Sequence, residues 1–399
     1  MRKIGILTFH WANSFGAILQ AYTLNKLLID MGYNAEIINF LPGLCLVTSR
    51  VIKPHELARK YSAMGFSLIR GAYSASGEAI NYILDFKEYL CRDRLFGDFR
   101  KKFMKISPQV VNDVSELKKT CQEYDACLVG SDQVWNPEYL HHSDFAYLLP
   151  FKLKETKKIA FSASLGVDIS SIPLSLIKLY KAALSDFSFI SLRERKQSSA
   201  LSSLIGKEIH HTLDPTLLVD KEQFETIMGM NIPSIDRYVL IYNIDFTTLP
   251  LAKKIVEILK LPAIIYSRPP LLPITRRLTS SRYFKGAPCF SSLGPREFLG
   301  LIRNAEFIIT DSFHGSALSI LFQKQFVTLI AGLNVKTQQR IFDLLEQFKL
   351  KERLLSREKL SLSIKIIYKP INYDHIRELL ANAQQNSLKL LDMALKSAY

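Results

Sequence analysis

Residues able to do acid–base and anion chemistry gather most densely at Thr310-Asp311-Ser312-Phe313-His314-Gly315-Ser316. The apolar run leading in, through Ile308 and Ile309, predicts a strand. The run leading out, Ser316-Ala317-Leu318-Ser319-Ile320-Leu321, predicts a helix. A helix start leaves backbone N–H groups free, and these can hold a phosphate or a carboxylate. His314 lies in this turn, where an imidazole can donate to an anion or act as a general acid. Gly315 would let a ligand come close to the backbone. A capped helix with a surface histidine fits the same residues, with Asp311 as the cap or as a rival acid–base group.

A second group is Gly130-Ser131-Asp132-Gln133-Val134-Trp135-Asn136-Pro137, at the end of the apolar run Ala126–Val129. Asp132 is suited to take a proton from a hydroxyl or to bind one. Amide and aromatic side chains beside it, Gln133 and Trp135, suit a sugar through hydrogen bonding and stacking. Trp135 fits a core position equally well. Arg193-Glu194 follows a further strand, Phe189–Leu192, and reads either as an anion site or as a local ion pair. The polar loop His10–Gly16 follows the first strand, with Gly16 admitting a purely steric reason. Asp214-Pro215 reads as a plain turn. His141-His142 and His210-His211 have no metal-like partners and read as surface or structural histidines. No metal motif is visible.

These groups need elements to position them. Ile4–Phe9, a helix over Ala17–Met31 ending at Gly32, and a strand at Ala35–Phe40 form a βαβ unit. Residues 50–110 read as mostly helical, with Arg59–Ile69 and Ala79–Tyr89 as candidates. Further strands are expected at Lys158–Ser162 and, more weakly, Glu208–Thr212. A linker at Asn231–Arg237 precedes a restart: strands at Tyr238–Ile244, Ala263–Ser267, Phe307–Thr310 and Phe326–Ile330, and helices at Leu251–Leu259, Pro295–Arg303 and Gly315–Phe322. Residues 268–290 read as loops, and Tyr373–Lys396 as a long amphipathic helix. Polar residues recur at the carboxyl ends of strands in both halves, which is the ligand edge of an open α/β sheet. The expected fold is therefore α/β, with two Rossmann-like domains facing across a cleft. Residues 1–230 form the first domain and 231–370 the second. Residues 371–399 form a terminal helix that returns to the first.

Composition sets outer limits. A chain of 399 residues exceeds what one core usually holds. Its 52 Lys and Arg against 37 Asp and Glu, a formal charge of +15, favour anionic partners. The positive charge clusters at Arg92–Lys105, Lys152–Lys158 and Arg276–Arg282. No nucleic-acid-binding motif accompanies it, so nucleic acid is not expected as a partner. Five cysteines at unpatterned spacings suit buried thiols in a reducing compartment, so a cytoplasmic location is expected. The first apolar run is short and interrupted by polar residues, reading as a strand and not as a signal peptide. No run reaches the roughly 20 apolar residues of a membrane span.

In order along the chain stand Phe9-His10-Trp11-Ala12-Asn13-Ser14-Phe15-Gly16-Ala17-Ile18-Leu19-Gln20, Val129–Pro137, Phe161-Ser162-Ala163-Ser164-Leu165-Gly166, Ser191-Leu192-Arg193-Glu194, Asp214-Pro215-Thr216-Leu217-Leu218 and Ile309–Gly315. With these six blocks the chain resembles the polysaccharide pyruvyltransferase family over nearly its whole length. The resemblance implies the GT-B arrangement of two Rossmann-like domains, with 1–230 on the acceptor side and 231–370 on the donor side. It also implies phosphoenolpyruvate as co-substrate with no separate cofactor or metal, a saccharide hydroxyl pair as acceptor, and a cyclic pyruvate ketal as product on a cell-surface polysaccharide precursor. Residue by residue, it implies His314 as acid or phosphate partner and Asp132 as acceptor-side base. Donor contacts are expected from Arg193, Ser312, Phe313, His314 and Gly315. Acceptor contacts are expected from His10, Asn13, Asp132, Gln133, Trp135 and Asn136. The chain departs from many relatives at Ser312, where they carry arginine; Arg268 is the expected substitute cation. A lipid-linked acceptor would bring the basic surface to the inner face of the cytoplasmic membrane as a peripheral contact. A nucleotide-sugar glycosyltransferase of the same fold and a non-catalytic glycan-binding protein remain the alternative readings.

Overall fold

The computed structural model describes residues 1–42, 88, 90–140, 143, 145–229, 235–266, 283–330, 338–356 and 365–397. The first half holds seven strands: β1 (Lys3–Leu7), β2 (Asn34–Phe40), β3 (Ile106–Val111), β4 (Ala126–Val129), β5 (Lys157–Ala163), β6 (Phe189–Leu192) and β7 (His210–His211). They form one parallel sheet in the order β3-β2-β1-β4-β5-β6-β7. The second half holds six: β8 (Val239–Tyr242), β9 (Ala263–Tyr266), β10 (Cys289–Phe290), β11 (Phe307–Thr310), β12 (Gln325–Ile330) and β13 (Leu354–Ser356). Their order, β10-β9-β8-β11-β12-β13, repeats the first sheet's winding, again all parallel. Each sheet reverses direction of growth between its first strand and the fourth, and such a reversal opens a crevice at the carboxyl ends of the strands.

The central strands β4, β6, β8, β9 and β11 are buried at every residue, as expected of strands covered on both faces. Strands β3 and β13 and the helices Val114–Cys121, Leu174–Leu184, Arg195–Ile205 and Gln339–Gln347 escape the sequence reading. β3 is an edge strand that carries Pro108 and three exposed residues, so it lacks an apolar signature. It replaces part of the helical segment expected over 50–110, where 90–103 is helical. The candidate helix Arg59–Ile69 and all of Ala79–Tyr89 except Glu88 lie outside the described residues, as do 230–234, within the expected join.

The halves meet through an aromatic stack. The Phe15 ring, from the first half, lies 4.0 Å from the Phe298 ring of the second with only 7° between the planes. Phe96 and Tyr266 flank it at 5.4 and 4.9 Å. Stacked rings add to the area they bury. The terminal helix Tyr373–Ser397 ties the halves again. The Tyr373 hydroxyl donates to the Ser319 carbonyl at 3.3 Å, and further along Gln384 donates to the Leu217 carbonyl at 2.9 Å. Ser387 Oγ accepts from the Leu213 N–H at 3.0 Å. The expected return of this helix to the first domain is present. Among the described residues no helix is long and apolar enough to cross a membrane.

Candidate active site

The carboxyl ends of β4, β5, β6 and β7 converge on one buried carboxylate, Asp214. Its Oδ2 accepts from Arg193 Nη1 at 2.8 Å and from Ser131 Oγ at 3.1 Å. Its Oδ1 accepts from the Thr216 N–H at 3.0 Å and the Thr216 hydroxyl at 2.7 Å. From the second half, His314 Nε2 comes within 3.6 Å of Oδ2. Burial alone would raise this carboxyl's pKa; His314, Arg193 and Thr216 outweigh that and hold it well below the usual carboxylate range. The turn expected at Asp214-Pro215 is real, since the side chain caps a short 3-10 turn at Pro215–Leu217. That turn is also the hub of the site, which its bland local sequence concealed.

Hydroxyls support the hub from below. Ser162 Oγ donates to the Leu213 carbonyl at 2.6 Å and pairs with Thr212 Oγ1 at 2.9 Å, which in turn donates to Ser191 Oγ at 2.7 Å. Ser131 binds Gln20 and the Ser162 carbonyl as well as Asp214, so it joins the loops after β1, β4, β5 and β7. Buried polar groups satisfied in this way fix one arrangement of the loops. The Gly130–Ser131 peptide is cis, and Asp132 follows at φ +71°, a left-handed conformation that Asp adopts more readily than most residues.

Arg193 has a side chain with no exposed surface, and three carboxylates surround it. Asp214 lies at 2.8 Å, Asp132 Oδ1 at 3.3 Å and Glu194 Oε1 at 3.8 Å. Its guanidinium also rests 4.3 Å from the centre of the Phe313 ring. Burial works against its charge, and the three acids more than restore it, so its pKa stands above the ordinary value. Arg193-Glu194 is thus more than a local ion pair: it is the cation of a network that also includes Asp132, Asp214 and Phe313.

Ser312 is the N-cap of the helix Phe313–Leu321, with Oγ accepting from the Gly315 N–H at 3.3 Å. Asp311 is not the cap; it accepts from Asn243 Nδ2 at 2.7 Å. His314 is no surface residue, being 7% exposed with Nε2 lacking a hydrogen bond. Its ring fills the space a side chain at Gly16 would need, since a Cβ there would stand 2.0 Å from Nδ1. The steric reason for Gly16 is therefore a histidine from the other half. Gly315 differs from expectation. A Cβ on it would meet Thr310 Oγ1 at 2.5 Å and Tyr242 at 2.9 Å, so its bare face packs on the sheet and not on a ligand.

The expected acceptor residues divide. Asp132 belongs to the network just described. Trp135 is fully buried, with Nε1 donating to the Tyr147 carbonyl at 2.9 Å and its ring 6.1 Å from that of Phe187, so it is a core residue and not a sugar platform. Asn136 donates to Gln133 Oε1 at 2.9 Å and accepts from the Glu138 N–H at 3.0 Å, which closes the turn after β4. Gln133 remains partly exposed beside it. His10 is buried, within 3.2 Å of the Thr8 carbonyl and of Asn39 Oδ1, and burial pushes its pKa down to about 4. It is therefore neutral at pH 7 and already paired. Asn13 is engaged by Arg100 at 2.8 Å and Asp93 at 2.8 Å, which anchors the loop to the 90–103 helix. Arg268 lies outside the described residues.

One functional candidate escaped the sequence reading altogether. Arg340, second residue of the helix Gln339–Gln347, lies in the electrostatic field of Asp132, Arg193, Glu194 and Tyr139. Its signal was an arginine at the start of an amphipathic helix that the reading did not assign.

Comparison with known proteins agrees with this arrangement. Solved structures share the fold at low identity. A putative UDP-N-acetylglucosamine 2-epimerase from Listeria monocytogenes superposes with a TM-score of 0.56 at 12% identity, covering 99% of this chain and 96% of its own. UDP-N-acetylglucosamine 2-epimerase from Rickettsia bellii gives 0.56 at 10%, covering 100% and 97%. S. aureus MnaA with UDP gives 0.55 at 12%, covering 100% and 98%. These likenesses establish the GT-B type of two-domain α/β fold. No curated protein sequence matches the chain. The sequence model of polysaccharide pyruvyl transferases, however, matches residues 15–331, a span that contains Asp132, Arg193, Asp214 and His314, and the chain belongs to that family.

Proposed function

We propose that the protein transfers pyruvate from phosphoenolpyruvate to a pair of hydroxyls on a sugar of a cell-surface polysaccharide precursor. The product is a cyclic ketal, and phosphate is released. The observation that carries this reading is the meeting of His314, from the late block of the family, with Asp214 and Arg193 from the first half. The reaction breaks the bond between C2 of the donor and its phosphate oxygen and forms two C–O bonds to C2. One hydroxyl proton ends on the methylene carbon, which becomes methyl, and the other leaves with phosphate. In this reading His314 delivers the proton to carbon, and Asp214, 3.6 Å from its Nε2, fixes the orientation of its ring. Asp132 takes a proton from the attacking hydroxyl. Arg193 holds Asp132 and Asp214 in register.

The test is phosphate release from phosphoenolpyruvate with and without a saccharide acceptor, together with mass spectrometry of the product. Release that depends on acceptor, and a gain of about 70 Da on the sugar, is expected from the covalent chemistry. His314→Ala should lower kcat at least about 100-fold, the usual worth of a general acid. Consumption of a nucleoside diphosphate sugar instead, or saccharide binding with no donor consumed, would replace this reading with one of its alternatives.

A further inference from the structure

We infer that Arg340 is the cation that binds the anionic group of the donor, and that Arg193 is a positioning residue whose charge is already spent within the protein. The inference rests on the transferase reading for the identity of the donor, and on the structure for the anion site itself.

Charge balance is the first ground. The Arg193 guanidinium is sealed from solvent and faces Asp214, Asp132 and Glu194 at 2.8, 3.3 and 3.8 Å. One positive charge among three carboxylates leaves an excess of negative charge where a phosphate or carboxylate would have to bind. At such distances like charges repel strongly once water is excluded. Arg193 therefore cannot recruit an anion without giving up an acid it already holds.

Arg340 stands in the opposite condition. Among the described residues no carboxylate lies within ion-pair distance of it, and its Nε, like that of Arg193, is closed off from water with no hydrogen-bond partner. The residue as a whole is only partly buried, so a ligand can reach it. A guanidinium nitrogen held out of water without a partner is costly, and a bound oxyanion would relieve that cost. The helix that carries Arg340 reinforces the point. Its N-cap, Gln338, makes no side-chain capping bond to the first-turn N–H groups, which a bound anion could take up.

The helix is also held in place at the junction of the halves. Lys196, next but one after Glu194, lies 3.3 Å from Glu346 and 4.7 Å from the Phe342 ring centre. From this helix Arg340 feels the charge of Asp132 and Glu194 without pairing with either, while Arg193 pairs with both from the first half. A planar fork of donors suits a phosphate or carboxylate oxygen pair, which is the chemistry the donor presents. Arg340 lies beyond the 15–331 span that the family model covers, so it supplies a cation that the matched blocks lack at Ser312.

The test titrates phosphoenolpyruvate, and separately inorganic phosphate, into the full-length protein by calorimetry. Arg340→Gln should weaken both about 100-fold and raise the donor KM correspondingly, with a much smaller change in kcat. Arg193→Lys should leave phosphate affinity within about threefold while lowering kcat. Wild-type affinity for both ligands in Arg340→Gln would overturn the inference. Should the wild type bind phosphate but not phosphoenolpyruvate, the transferase reading fails, and loss of phosphate binding in Arg340→Gln would still uphold the anion site. If Arg340→Gln does not fold, phenylglyoxal labelling of the wild type decides. Arg340 should be modified in the free protein and protected by phosphate, and equal labelling with and without phosphate would overturn the proposal.

Discussion

The two ligand edges of this molecule are built on the same winding and carry opposite equipment. The first sheet presents Asp132, Glu194 and Asp214 around a single captive arginine, on loops laced together by Ser131, Ser162, Ser191 and Thr212. The second sheet presents His314 at one helix start, under the Ser312 cap, and Arg340 at another. One edge is an acid network closed around its own arginine; the other adds a histidine that reaches that network and an arginine with no ion pair among the described residues. The difference teaches that a shared fold does not distribute chemistry evenly. The first half holds the acids and the arginine that fixes them, and the second half contributes the histidine and a further arginine.

Breaking the acid edge should have the largest effect. Asp214→Asn keeps the shape but removes the charge that Arg193 and His314 share. By analogy with a carboxylate that orients a catalytic imidazole, kcat should fall about a thousandfold. Leaving the buried Arg193 with fewer counter-charges should also cost about 3 kcal/mol, read from urea unfolding. A variant with near-normal kcat would show that the hub is architectural only. Next in size is the seam between the edges. Gly16→Ala places a methyl 2.0 Å from His314 Nδ1, which forces the ring or the helix aside. Misplacing a catalytic group by such a distance should lower kcat about 100-fold while the protein stays folded by circular dichroism. The smallest effect tests the first edge's boundary. Trp135→Phe should cost about 1–2 kcal/mol through the lost Tyr147 hydrogen bond and lost volume, with acceptor KM unchanged. A raised acceptor KM at unaltered stability would restore Trp135 to the sugar site.

The winding was legible because buried parallel strands advertise themselves. Val129, Leu192 and Ile309 each end an apolar run and precede the polar residues that form the site. The edge strands β3 and β13 gave no such signal, since Pro108 and exposed positions erase it in one and three residues are too few in the other. Within the site, His314, Arg193 and Asp132 could be picked out because their types stand out against apolar strands. Asp214 could not, because Asp-Pro favours an ordinary turn, and only the three-dimensional convergence of β4 to β7 turns it into a hub. Trp135 and Asn136 share a block with Asp132 of the buried network, and His10 and Asn13 share one with Gly16, which the His314 ring packs against. Their side chains face inward or toward the supporting 90–103 helix, and a linear block does not disclose on which side of a loop each residue falls.

The seating of His314 against Gly16 has an evolutionary consequence. Position 16 and position 314 lie almost 300 residues apart in sequence, yet the size of one sets the space for the other. In any lineage that replaces the histidine by a smaller residue, the glycine is freed to grow; while the histidine stays, position 16 has no latitude. The two halves therefore cannot diversify independently at this point, and a chimaera that joins the first half of one relative to the second half of another will work only when both sides of this single contact match.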